Sequence, residues 1–234
     1  MRELSLFTGA GGGVLGTHHL LGFETCGYVE WNEYCQRVIA ARIADGYLTR
    51  APIFTDVREF VQSGASRQYR GVADVVTGGF PCQPFSHAAR GRNVAEDLWP
   101  WMLRVISEVR PTYVFAENVA GSRDVWHGVR RDLETQGYAV CGPLRLGSSD
   151  VGGADIGSRF WLVAEANTDS QPVCPINDEA SRMPESFGAG DWWRTDPRTL
   201  GVANGMAYRM DRLAALGNGQ VPTVAARAWQ ELSA

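Results

Sequence analysis

The chain has 234 residues, of which 44% are hydrophobic and 21% charged, and this composition is typical of one globular domain with a sizeable core. Its apolar runs are too short for a membrane span. The net charge of −4 does not indicate a strongly basic nucleic-acid binder, although all 22 basic residues are arginine, whose guanidinium suits phosphates and guanine. The five cysteines form no C-x-x-C pair, so we expect reduced thiols in a cytoplasmic protein.

The first elements predict a site for a nucleotide-type cofactor. Residues 4–7 have the pattern of a strand, residues 8–13 form a glycine-rich turn, and residues 14–21 have the spacing of a helix. Such a turn lets a ligand approach the backbone closely, and the helix N-terminus adds partial positive charge. Three glycines fit the spacing G-x-G-x-x-G: Gly11, Gly13 and Gly16. No Gly-Lys-Ser/Thr follows, which excludes a P-loop.

Acidic residues end the next two predicted strands. The pattern predicts a strand over residues 23–30 that ends in Glu30, and an acid at this position suits the hydroxyls of a ribose. Trp31 beside it is placed to stack on a base. Taken alone, this pair also fits a surface acid and a half-buried ring. After an amphipathic helix, residues 52–57 predict a third strand with Asp56 near its end.

A cysteine between two prolines follows the fourth predicted strand. The apolar residues 73–77 predict that strand, and Cys82 follows on a turn that Pro81 and Pro84 stiffen. Open α/β sheets bind ligands at the carboxyl ends of their strands, which favours a reactive thiol. A small buried cysteine in a proline-rich loop is the alternative. Residues 87–95 then predict a mobile polar loop beside this thiol.

The fifth predicted strand delivers an ionisable pair. Residues 113–116 are apolar, and Glu117 and Asn118 follow them directly. An idle carboxylate is costly to bury at such a place, which favours a functional role. A helix over residues 98–109 precedes this strand. Another helix, two closing strands and an irregular stretch follow it, before a last helix over residues 223–232.

Strands that alternate with helices predict an α/β fold with a doubly wound, mostly parallel sheet. From the residues alone, two function classes fit this fold. A dinucleotide oxidoreductase would use the glycine spacing and Glu30, but it gives no role to Cys82 or to the pair Glu117 and Asn118. A group-transfer enzyme with a cysteine nucleophile and an adenosine-type cofactor uses all of them.

The order of the motifs resembles that of the cytosine-C5 DNA methyltransferases, which use S-adenosylmethionine. The most specific likeness combines residues 79–83 (Gly-Phe-Pro-Cys-Gln) with residues 117–119 (Glu-Asn-Val), which resemble the catalytic motif and the base-contacting motif of that family. Four further stretches resemble its cofactor motifs: residues 6–12, Glu30-Trp31, Asp56-Val57 and residues 217–222. The likeness covers residues 4–164 and about 206–232.

The resemblance implies a Rossmann-like methyltransferase fold, S-adenosylmethionine as cofactor and double-stranded DNA as substrate. Cys82 would add to C6 of a flipped-out cytosine while Glu117 hydrogen-bonds or protonates N3. The implied catalytic residues are Cys82, Glu117, Asn118 and Arg159. The implied cofactor contacts are Phe7, Gly9, Gly11, Gly12, Glu30, Trp31, Asp56, Val57, Leu98, Asn218 and Gly219. The implied DNA contacts are Gln83, Ser86, Arg90 and Arg92, and no metal site is expected.

One departure from the family pattern precedes the last predicted strand. The family usually carries Gln-x-Arg-x-Arg there, whereas residues 155–159 are Asp-Ile-Gly-Ser-Arg, so only Arg159 matches an arginine. We expect residues 1–164 and 206–234 to form the catalytic and cofactor-binding domain, and residues 165–205 a short target-recognition region. A short region implies loose recognition or a helper protein. A cognate endonuclease is another candidate partner of this enzyme, which we expect to be a monomer.

The resemblance leaves two alternatives open. A branch of the same family acts on tRNA and shares these motifs. A degenerate relative that binds without catalysis is the other alternative, and it is motivated by the lost arginine and the short recognition region.

Overall fold

The structure is a computed structural model that describes residues 1–81, 96–119, 123–153, 157–166, 211, 215 and 219–233. Seven strands within these residues form one sheet. They are β1 (Arg2–Leu6), β2 (Glu24–Val29), β3 (Ile53–Phe54), β4 (Val75–Gly79), β5 (Tyr113–Val119), β6 (Tyr138–Leu146) and β7 (Arg159–Ala166). The helices described are α1 (Gly12–Leu21), α2 (Glu33–Ala44), α3 (Val57–Gln62), α4 (Trp99–Val109), α5 (Arg123–Thr135) and α6 (Pro222–Leu232).

The first strand is an inner strand, the third of seven in the order β3-β2-β1-β4-β5-β7-β6. It pairs in parallel with both β2 and β4, so the chain winds outward from β1 in two directions. The expected α/β fold with a doubly wound, mostly parallel sheet is confirmed, and β7 runs antiparallel to β5 and β6. Sheets of this kind bind ligands where the winding direction changes, which is here at the carboxyl ends of β1 and β4.

Apolar clusters cover both faces of the sheet because neighbouring residues of a strand point to opposite faces. On one face, Val76 and Val114 belong to a cluster that includes residues of α3, α4 and α5. On the other face, Phe115 packs against Trp161 and against Trp229 of α6. Both clusters consist of nearly inaccessible side chains, so the strand ends that carry the site are anchored from two sides.

Helix ends are set by residues that satisfy free backbone groups. Asn32 caps α2, since its side chain accepts a hydrogen bond from the backbone N–H of Cys35. Gly22 ends α1 with a φ of 71°, a left-handed conformation that suits glycine. Helix α1 lies so close to α6 that a β-carbon at Gly16 would overlap the backbone of Pro222, so this contact needs a glycine. The first and last helices of the described chain are therefore packed together beside the predicted cofactor turn.

The fifth strand is longer than the sequence predicts. The expected strand covered residues 113–116, whereas β5 continues to Val119. The reason is tertiary, since β7 pairs with β5 along this whole length and places Trp161 opposite Glu117. Glu117 and Asn118 consequently lie in the sheet itself rather than in a loop after it.

The cysteines differ from the expectation of reduced thiols at one position. Cys26 and Cys35 are free thiols, whereas Cys141 is disulfide-bonded. That expectation is therefore wrong at Cys141. In the part of the chain that the structure describes, no helix has the length and apolar character needed to cross a membrane.

Candidate active site

A cavity opens at the carboxyl ends of β1, β4 and β5, where the winding direction of the sheet changes. Four of the predicted site residues line it: Phe7, Gly9, Glu117 and Gly219. The wall also contains Gly78 and Gly79, which end β4 just before the predicted nucleophile. Cofactor, base-contacting and closing motifs that are far apart in the sequence thus share one cavity.

The turn after β1 has an unusual backbone, which the sequence explains at its two glycines but not at Phe7. Phe7, Gly9 and Gly11 have φ values of 51°, 59° and 90°, all in the left-handed region that glycine adopts at low cost. The hydroxyl of Thr8 donates to the carbonyl of Ser5 at 3.1 Å, which closes the turn. Because α1 begins directly afterwards at Gly12, the positive end of its dipole faces the same region.

Glu30 ties the glycine turn to the end of β2. Its Oε2 accepts a hydrogen bond from the backbone N–H of Gly9 at 2.6 Å, and its Oε1 accepts one from Asn32 at 2.8 Å. Burial raises the pKa of this carboxyl, and the two backbone donors act against that shift. Each oxygen keeps a further lone pair, so the carboxylate can still accept from hydroxyls of a ligand.

Trp31 and Asp56 meet through an arginine that the motif comparison did not single out. The indole of Trp31 is 70% exposed, and the guanidinium carbon of Arg58 lies 5.2 Å from its ring centroid. Arg58 also donates to Oδ2 of Asp56 at 2.7 Å, and this hydrogen bond lowers the pKa of that carboxyl. Asp56 caps α3 by accepting from the backbone N–H of Arg58, which is why β3 ends earlier than predicted.

The two apolar cofactor candidates occupy different settings. Val57 is buried at the start of α3, beside Asp56. Leu98 is half-buried at the N-terminus of α4, two residues after Glu96, which binds Arg58 at 2.9 Å. Neither of them lines the cavity described above, and the same holds for Gly11, Gly12, Glu30, Trp31 and Asp56.

Glu117 is a buried carboxylate at the edge of the cavity. It pairs with Gly79 in the parallel ladder between β4 and β5. Gly79 lies three residues before Cys82 in the sequence. Arg159 lies 3.2 Å from its Oε1, and Nε2 of Gln220 donates to its Oε2 at 2.8 Å. Burial raises the pKa of Glu117 to about 7, while the hydrogen bond from Gln220 and the charge of Arg159 act to lower it. Near neutral pH this group can both give and take a proton.

Asn118 anchors the backbone that directly follows β4. Its Nδ2 donates to the backbone carbonyl of Phe80 at 3.0 Å, and both side chains are buried. Phe80 in turn packs against the rings of Trp99 and Trp126. Asn118 therefore fixes the backbone two residues before Cys82.

Several predicted site residues lie outside the described residues. They are Cys82, Gln83, Ser86, Arg90, Arg92 and Asn218. Most of the predicted target-recognition region, from residue 167 onward, also lies outside them. Their roles stay predictions from the sequence.

Glu3 and Gln220 line the cavity, although neither is among the predicted site residues. Glu3 looked like an ordinary polar residue of the first strand, yet it is buried and lines the cavity. Gln220 belongs to the closing motif at residues 217–222, but nothing in its local sequence indicated a bond to Glu117. Their positions depend on contacts across the sheet, which local periodicity does not record.

Comparison with known proteins identifies the family of this arrangement. The family model of the C-5 cytosine-specific DNA methylases matches residues 1–189. The type II methyltransferase M.PspPI of Psychrobacter sp. (strain TA137) is 32% identical over 150 residues, which are 58% of this chain and 33% of that protein. M.NgoMIV of Neisseria gonorrhoeae is 30% identical over 171 residues, or 70% of this chain and 52% of that protein. The chain thus spans 33% and 52% of the length of these two relatives.

Two solved structures share the fold. A putative DNA modification methyltransferase encoded within a prophage of E. coli matches with a TM-score of 0.53 and 25% identity, over 71% of this chain and 47% of that one. Spodoptera frugiperda DNMT2 matches with a TM-score of 0.56 over 73% of this chain and 51% of that one, and at 18% identity it supports the fold alone. With the family model covering most of the sequence, the chain belongs to the C-5 cytosine-specific DNA methylase family.

Proposed function

We propose that this chain transfers a methyl group from S-adenosylmethionine to C5 of cytosine in double-stranded DNA, through a covalent bond between Cys82 and C6 of a flipped-out base. The observation that carries the proposal is the setting of Glu117. This carboxyl is buried, has a pKa of about 7, lines the same cavity as the glycine turn and pairs with the strand that leads to Cys82. These are the properties that an acid for the cytosine ring needs at neutral pH.

The residues beside the cavity fit an adenosine-type cofactor. Glu30 has free lone pairs beside the glycine turn, Trp31 presents an exposed ring, and Asp56 presents an acceptor next to it. Hydroxyls, a flat base and an amino group are the features that such residues bind. S-adenosylmethionine supplies the electrophilic methyl group, and the chain's own residues prepare the cytosine for it.

The chemical difficulty lies in the cytosine, because its C5 is a poor nucleophile. In the proposed reaction the thiolate of Cys82 adds to C6, and Glu117 protonates N3 so that the ring stays neutral. The enamine formed in this way would attack the methyl group of S-adenosylmethionine through C5, and S-adenosylhomocysteine would leave. Loss of the C5 proton to solvent would then expel Cys82 as a thiolate and restore the aromatic ring, and N3 would return its proton to Glu117.

Arg159 and Asn118 support this reaction without exchanging protons. Arg159 stabilises the ionised form of Glu117 from β7, and it is the arginine that the family pattern retains here. Asn118 fixes the backbone that leads to Cys82 through the carbonyl of Phe80. A target base inside a duplex is inaccessible, so the enzyme must flip it out at a cost on the order of a few kcal/mol. We assign DNA contacts in this step to Gln83, Ser86, Arg90 and Arg92.

Methyl transfer and covalent trapping test the proposal together. The 234-residue chain is incubated with tritium-labelled S-adenosylmethionine and either unmethylated duplex DNA or tRNA. We expect label in 5-methylcytosine of the DNA. Duplex DNA that contains 5-fluorocytosine should form a stable adduct, since fluorine at C5 cannot leave as a proton does.

Cysteine variants separate the nucleophile from the other thiols. Cys82→Ser should abolish both the label and the adduct. Cys26→Ser is the matched control, because Cys26 is a free thiol whose burial raises its pKa to about 11 and which donates a hydrogen bond to the backbone carbonyl of Glu3. Label in tRNA alone would overturn the DNA assignment. Binding of S-adenosylmethionine without any adduct would overturn the catalytic proposal in favour of a binding protein.

A further inference from the structure

Gln220 lies where three of the motifs meet. It precedes α6 and lines the cavity together with Gly13 of α1 and Glu117 of β5. Its Nε2 donates to Oε2 of Glu117 at 2.8 Å, while Arg159 contacts the other oxygen, Oε1, at 3.2 Å. The Glu117 carboxylate is therefore held on both oxygens by side chains from two separate elements.

Two glycines provide the space that this amide occupies. A β-carbon at Gly79 would lie 2.6 Å from Oε2 of Glu117 and 2.8 Å from Nε2 of Gln220. A β-carbon at Gly13 would overlap Oε1 of the same amide. Because carbon atoms do not approach oxygen or nitrogen so closely, the contact between Gln220 and Glu117 requires glycine at both positions. The amide thus fills a gap between the cofactor turn and the strand that leads to Cys82.

A carboxyl at the end of a side chain rotates easily, since its last torsion has a broad energy minimum. Proton transfer to a ring nitrogen needs a fixed direction, and a displacement of about 1 Å can cost on the order of a hundredfold in rate. Arg159 alone, bound to one oxygen, leaves the plane of the carboxyl free to turn about that contact. A second donor on the other oxygen removes this freedom.

We propose that Gln220 is a positioning residue for Glu117: its amide fixes the plane of the carboxyl and links it, through Gly13, to the cofactor side of the cavity. This inference rests on the proposed function. The amide donates to the carboxylate form, so it also favours ionisation of Glu117 between turnovers. Among the described residues, the charged groups that face Glu117 are Arg159 from β7 and, across the same cavity, Glu3 from β1.

Gln220→Met tests the inference, because methionine has the same length and no donor. The chain is labelled with ¹³C at its glutamate carboxyls and titrated by NMR, and the signal of Glu117 is assigned by its absence in Glu117→Gln. Loss of the hydrogen bond should raise the pKa of Glu117 by about one pH unit. This readout needs neither DNA nor turnover, so it separates a failure of the inference from a failure of the proposed function. With DNA, kcat should fall about tenfold while KM for DNA stays the same.

Gln230→Met is the matched control, since Gln230 is exposed on α6 and the substitution is identical. It should leave both the pKa of Glu117 and kcat unchanged. Gln220→Asn provides a second variant if Gln220→Met does not fold, because it keeps the amide but shortens its reach by one methylene group. An unchanged pKa of Glu117 in a folded Gln220 variant would overturn the inference. A shifted pKa with an unchanged kcat would overturn the positioning role.

Discussion

Two buried glutamates line the same cavity, and they differ in what surrounds them. Glu3 in β1 and Glu117 in β5 are 1% and 7% exposed, and burial raises the pKa of both. Glu3 accepts hydrogen bonds only from hydroxyl groups among the described residues, from Thr17 at 2.7 Å and Thr77 at 2.6 Å, with Thr25 at 3.4 Å. Glu117 is bound instead by a guanidinium and an amide.

The hydroxyl donors of Glu3 come from three elements. Thr17 lies in α1, Thr25 in β2 and Thr77 in β4, so this carboxyl joins β1 to its two neighbouring strands and to helix α1. The partners of Glu117 come from elements that meet at the edge of the cavity, next to the strand end that leads to Cys82. Glu3, which has a structural role, and Glu117, the proposed catalytic acid, are therefore both buried and both have a raised pKa. Only their hydrogen-bonding neighbours distinguish them.

The same substitution at both positions gives the largest expected contrast. Glu117→Gln removes the proton donor and should lower kcat/KM for DNA methylation by about 10²- to 10⁴-fold. Glu3→Gln keeps a hydrogen-bonding group among the threonine hydroxyls and should leave methyl transfer nearly unchanged. Initial rates with labelled cofactor measure both, after circular dichroism has shown that the variants fold. A comparable loss of rate in both variants would abolish the distinction.

The pH dependence of that contrast follows from the pKa of Glu117, which is about 7. The proposed reaction needs Glu117 protonated, so its contribution is present below this pKa and is lost as the pH rises through it. The ratio of kcat/KM between the parent and Glu117→Gln should therefore fall about tenfold per pH unit above 7. Taking the ratio cancels the ionisation of Cys82, which both proteins share. A ratio that does not change with pH would show that Glu117 does not act as an acid.

A third glutamate extends the comparison to the cofactor side. Both oxygens of Glu30 accept from backbone N–H groups, and glutamine offers only one acceptor oxygen. Glu30→Gln should weaken S-adenosylmethionine binding by about tenfold or more, since one buried backbone donor loses its partner. Calorimetric titration measures this, with Glu24→Gln, an exposed position of the same strand, as the control. Equal affinity of the two variants for S-adenosylmethionine would contradict a role of Glu30 in cofactor binding.

The smallest expected effect concerns stability. The pKa of Glu3 is raised in the folded protein by burial, against the opposing hydroxyl donors. Its contribution to stability is thus fully present below the pKa of an unfolded glutamate and is lost as the pH rises through the folded pKa. In that window the parent should lose at most about 1.4 kcal/mol per pH unit relative to Glu3→Gln, which does not titrate. Urea unfolding at a series of pH values measures the difference, and parallel curves for the two proteins would contradict it.

Local sequence patterns determined much of this molecule. Alternation of short apolar runs with amphipathic stretches predicted the α/β class and most elements, because strand and helix periods depend on neighbouring residues. The predicted helix over residues 98–109 differs from α4 by one residue at its start. The motifs also indicated Glu117 and Asn118 as candidate site residues, since a polar pair directly after an apolar strand is conspicuous.

The tertiary structure alone decided which side chains meet. Gln220 is 103 residues from Glu117 in the chain, and their hydrogen bond exists because α6 returns to the glycine turn of α1. Glu3 is buried because β1 is an inner strand with a neighbour on each side, a position that follows from sheet order and not from its five residues. Sequence periodicity reports which face of an element is apolar, but the partners across a sheet depend on the whole topology. For this reason the sequence by itself predicted a carboxylate at the strand end, and only the fold showed how its two oxygens are held.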